Sequence, residues 1–92
     1  MATYVVEAYL PNSAAARELA RRAARRLAEA SDGISYVRSV FLPDEETVFH
    51  VFEAPSPEDV IDAAVKAELA VDHIAAAIEG SSDDAGRLDP DS

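Results

Sequence analysis

The sequence predicts an α+β domain whose elements run strand, helix, strand, strand, helix, strand. Three observations carry the prediction. Residues 3–10 and the stretches on either side of Pro43-Asp44-Glu45-Glu46 are rich in β-branched and aromatic residues, the composition of strands and, around the turn, of a hairpin. Alanines and leucines recur at helical spacing between residues 14 and 30, directly after Asn12 and Ser13, either of which can cap a helix. Ser56-Pro57-Glu58-Asp59 combines a capping serine, a proline at the first helical position and acids in the first turn, a second helix start.

Taken in order, Thr3 to Leu10 alternates, with Tyr4, Val6, Ala8 and Leu10 on one face and Val5, Glu7 and Tyr9 on the other, and Pro11-Asn12-Ser13 ends the strand. The helix from about Ala14 to Ala30 presents Ala16, Leu19, Ala20, Ala23, Ala24 and Leu27 as its core stripe. Small side chains let such a helix lie flat on strands. Ser31-Asp32-Gly33 stops it, because glycine takes the left-handed conformation at little cost. In the next strand Tyr36, Arg38, Val40 and Leu42 alternate with Val37, Ser39 and Phe41; after the acidic turn, Val48 to Phe52 is an apolar run broken only by His50. The second helix offers Val60, Ile61, Ala64, Val65 and Leu69 and ends near Glu68. Val71 to Ile78 fits both periodicities, and a strand near Ile74 to Ile78 is expected because a helix there would leave the sheet one strand short. Residues 1–79 then form one domain, and residues 80–92, polar and acidic, a disordered tail.

The order βαββαβ gives the ferredoxin-like arrangement: a four-stranded antiparallel sheet, first and third strands central, both helices on one face. Val48-Phe49-His50-Val51-Phe52 is apolar on both faces, although helices cover only one. A second copy is the simplest cover for the other, giving a face-to-face homodimer, or dimeric α+β barrel.

Ninety-two residues suffice for one domain with a small core. The net charge of −10 disfavours nucleic acid, since phosphate binding needs a basic footprint. Arg17, Arg21, Arg22, Arg25 and Arg26 crowd one helix, but stacking aromatics are missing beside them, so they read as a solvated face paired with Glu18 and Glu29. The absence of cysteine removes disulfides and thiolate chemistry and fits a reducing compartment. No apolar run approaches the roughly 20 residues of a membrane span, and residues 1–3 lead straight into a strand, so a soluble cytoplasmic protein is expected.

The N-terminal TYVVEAYLP, the hairpin RSVFLPDEETVFHVFEAPSPEDV and the closing VDHIAAAIE resemble a family of short proteins with a ferredoxin-like dimeric fold, known mainly as a domain of unknown function, one branch of which is described as nickel-binding. The likeness spans about residues 3–79 and is most specific from Arg38 to Pro55. It implies the fold, the dimer and nickel as a candidate cofactor; it carries no set of ligands onto this chain.

Two readings of the chemistry remain open. In the first, the protein binds a divalent transition metal, nickel foremost, through His50 and His73 with neighbouring carboxylates, imidazole and carboxylate being suitable borderline donors. In the second, Glu7, Tyr9, Tyr36 and Arg38 line a cleft between the sheet and its mate that takes a small aromatic or polyketide-like molecule, as dimeric α+β barrels do in some oxygenases and isomerases. Set against these are an ion pair of Arg38 with Glu7 or Glu53 that fixes strand register at the dimer interface, and His50 as a hydrogen-bonded core or interface residue. The sequence has no glycine-rich phosphate loop, no spaced histidine-carboxylate motif and no nucleophile with an evident base, so no reaction is assigned.

Overall fold

The computed structural model describes residues 1–78, and its elements follow the expected order: β1 (Ala2–Tyr9), α1 (Ala14–Glu29), β2 (Ser35–Leu42), β3 (Thr47–Ala54), α2 (Pro57–Ala67) and β4 (His73–Ala77). All pairings are antiparallel and the sheet runs β2-β3-β1-β4, which puts the first and third strands at the centre. This is the ferredoxin-like α+β fold. The ambiguous stretch before Ile78 is a strand, one residue earlier than expected, because backbone pairing from Thr3↔Ala77 to Glu7↔His73 gives β1 its second neighbour. The tail expected over residues 80–92 lies outside the described residues.

Both helices begin as their sequences dictate. The Ser13 hydroxyl accepts from the Ala16 amide at 3.0 Å and that of Ser56 from the Asp59 amide at 3.2 Å, each satisfying one otherwise orphaned donor. Gly33 turns the chain into β2 at φ +86. At the end of α2, Glu68 is left-handed at φ 59 and the Leu69 amide reaches back to the Ala64 carbonyl at 2.9 Å. That closure folds Leu69 into the core.

The core lies between one face of the sheet and the helices. Tyr4 and Val6 of β1 and Phe52 and Ala54 of β3 pack with Ala23, Ala24 and Leu27 of α1, and with Val60, Ala63 and Ala64 of α2. Three residues assigned to the core from sequence are instead exposed: Leu19 at 65%, Ile61 at 40% and Val65 at 73%. In α2, Ile61 and Val65 each follow a buried residue by one position, a turn of about 100° around the helix axis. The helix rests on Val60, Ala63 and Ala64, and its larger neighbours are rotated outward. In α1 the alanines lie closest to the sheet, and Leu19 overhangs a gap described below.

β2 departs from simple alternation. Tyr36 pairs with Phe52 and Arg38 with Val51, so Val37 is an extra, bulged residue. A bulge reverses which side chains face which way. Tyr36 therefore shares a face with Ser39 and Phe41, not with Arg38, Val40 and Leu42 as alternation alone predicts; the half-buried and exposed positions of the strand divide in the same way.

Candidate functional site

The register sorts the candidate residues onto two faces. The uncovered face carries Val5, Glu7 and Tyr9 from β1, Phe49, Val51 and Glu53 from β3, Arg38, Val40 and Leu42 from β2, and His73 and Ala75 from β4. Its middle is apolar: Val51 is buried among its neighbours, and Val5 and Phe49 are half-buried. Glu7, also half-buried, sits between Phe49 on one side and His73 on the other.

His73 owes its place to the residue before it. The Asp72 carboxylate accepts from the Tyr9 amide at 2.8 Å, and the Asp72 amide donates to the Glu7 carbonyl at 2.9 Å. This clamp starts β4 in the register that pairs His73 with Glu7 across the two strands. A backbone clamp of this kind leaves no sequence signal of its own.

His50 and Tyr36 belong to the other face, under the helices. His50 pairs with Val6 on one side and Ser39 on the other and is 1% exposed. Its Nδ1 lies 2.6 Å from the Ser39 hydroxyl, which lies 2.6 Å from the Tyr36 hydroxyl. The Tyr36 ring also packs at 5.7 Å, centroid to centroid, on Phe52. Burial lowers the His50 pKa to about 4, so the ring is neutral at pH 7. Ser39, the centre of this chain, carries no signal in the sequence, because it shares a face with Tyr36 only through the bulge.

The four residues expected to line one cleft are thus divided: Glu7, Tyr9 and Arg38 lie on the open face and Tyr36 on the covered one. His50 and His73 likewise occupy opposite faces, so one ion does not bridge them within a chain. Among the described residues no cluster of three or more histidine, cysteine, aspartate or glutamate side chains converges. Within a single chain the register brings Glu7 and His73 to paired positions on the open face, and two side chains are fewer than a complete coordination shell requires. Among the described residues no helix is long and apolar enough to cross a membrane.

Comparison with known proteins adds two findings. The family model described as "Nickel responsive protein SCO4226-like" matches residues 4–76. The crystal structure of SCO4226 from Streptomyces coelicolor A3(2) superposes with a TM-score of 0.73 at 16% identity, covering 87% of this chain and 100% of that one; at that identity the likeness speaks for the fold alone. No curated protein matches the chain.

Proposed function

Since the chain belongs to the SCO4226-like family of nickel responsive proteins, we propose that it is a small cytoplasmic protein that binds a divalent transition metal, nickel first, as a face-to-face homodimer. The observation that carries this reading is the pairing of Glu7 with His73 on the uncovered face of the sheet. Imidazole nitrogen and carboxylate oxygen are the mixed donor set that nickel accepts. The apolar ground of Val5, Phe49 and Val51 excludes water from one side, which strengthens a charge interaction there.

A second copy laid on this face serves two ends. It covers apolar surface that a monomer leaves open, and it contributes donors where one chain has only two. His50 takes no part in this site: its face is the other one, and its Nδ1 is already engaged by Ser39.

Calorimetry with nickel on tag-free protein tests the assignment. His73→Ala is expected to lower the affinity at least about tenfold, the usual scale for losing metal-site support; Glu7→Gln should weaken it in the same direction, and His50→Gln should leave it unchanged. Undiminished binding in His73→Ala removes the proposed site.

A further inference from the structure

Leu19 overhangs a cavity of about 270 Å³ between the first half of α1 and the sheet. Its walls are apolar, with Ala16, Ala20 and Ala23 from the helix, Val48 from β3 and Leu69 from the turn after α2. Its polar lining includes His50. Nδ1 of that ring is held by Ser39, and Nε2 has no hydrogen-bond partner among the described residues. No fully enclosed side-chain nitrogen or oxygen among those residues lacks a partner, so Nε2 is not sealed off: it meets the open space that its ring lines. An imidazole nitrogen that opens only onto this space takes its hydrogen bond from whatever fills it.

We propose that this cavity binds a small uncharged ring molecule bearing a hydroxyl group, with the hydroxyl hydrogen-bonded to Nε2 of His50 and the ring packed among the alanines beneath Leu19. Each part of the ligand follows from the walls. The volume is just under the roughly 300–1,000 Å³ of pockets for drug-sized ligands, which fits a single ring. Glu68 stands in the lining and the chain carries a net charge of −10, so an anion is repelled. Ala16, Ala20 and Ala23 line the cavity with short side chains, and a ring seated there would cover Leu19, which is 65% exposed.

The hydroxyl is specified by the chain of groups behind the histidine. If the Tyr36 hydroxyl donates to Ser39 and Ser39 to Nδ1, the imidazole proton sits on Nε2 and points a donor into the cavity. If Nδ1 donates to Ser39 and Ser39 to Tyr36, Nε2 presents a lone pair instead. Both directions satisfy the same geometry. A ligand hydroxyl, itself donor and acceptor, matches either state, whereas a purely apolar ring leaves Nε2 unpaired. This site lies on the opposite face of the sheet from Glu7 and His73, and its occupancy is independent of the metal reading.

The test uses the full tag-free chain with phenol as the probe and benzene as its counterpart without the hydroxyl. Phenol is expected to bind in the millimolar range, ordinary for so few atoms, and to move the nitrogen-15 resonances of the His50 ring. His50→Leu should weaken phenol about tenfold, the effect of one hydrogen bond to a buried group, and leave benzene unaffected. Ala20→Leu, which adds bulk to the wall, should abolish binding of both. The proposal is overturned if saturating phenol leaves the His50 ring nitrogens unmoved, if its shifts map to the open face, or if Ala20→Leu binds both probes like the unmodified chain. Should His50→Leu fail to fold, the ring resonances of the unmodified chain and the Ala20→Leu variant decide between the outcomes.

Discussion

His50 is neutral because the folded chain withholds water from it, and this has a measurable cost in acid. Its folded pKa of about 4 lies below the ordinary 6.5, so the unfolded chain takes up the proton first. Stability linked to the neutral ring is fully present above about pH 6.5 and is lost as the pH falls toward 4, by roughly 3 kcal/mol in all. Urea denaturation at pH 7 and pH 4 is expected to show that loss on top of the change due to carboxylates, and His50→Gln should retain only the carboxylate part. Equal slopes for the two proteins would contradict the assignment. At this scale the sequence was half legible. His50 stood out as the one polar residue in its apolar run, but its link through Ser39 to Tyr36 was hidden, because no glycine or proline in residues 35–42 marks Val37 as the extra residue.

Among the elements, the ends were easier to read than the faces. Ser13 and Ser56 cap their helices as the sequence indicates, since capping depends on a few adjacent residues. Which apolar residues a helix buries depends on how it is rotated on the sheet, a tertiary matter, and Leu19, Ile61 and Val65 were misplaced for that reason. The terminus of α2 holds a further local conflict. Glu68 adopts the left-handed conformation that costs a residue with a Cβ roughly 1–2 kcal/mol. Glu68→Gly is expected to raise the stability by about 1 kcal/mol, after the greater freedom of glycine in the unfolded chain is subtracted. A shift of the urea midpoint upward would show it; a fall would mean that the Glu68 side chain contributes more than its backbone costs.

For the molecule as a whole, the two phenylalanines of β3 separate folding from assembly. Phe52 is fully buried under the helices and Phe49 half-buried on the open face. Phe52→Asp should leave no folded protein, since it buries an unpaired charge. Phe49→Asp should give a folded monomer, judged by light scattering and circular dichroism, if a second copy covers that face. An unmodified chain that is monomeric at micromolar concentration would end the dimer proposal. The face on which each side chain of β2 acts also rests on a count. The hairpin turn pins residues 38–42 against β3, so loss of Val37 alone would fall on the chain before it: Tyr36 would swing to the uncovered face, Ser39 would lose its phenol, and Ile34 would be drawn out of the core. Val37 acts on the strand as an inserted letter acts on a reading frame. Its own side chain is dispensable to that effect, so substitutions there should be tolerated where a deletion is not, and the distance along the chain, more than the chemistry of any one residue, keeps the two sides of the sheet distinct.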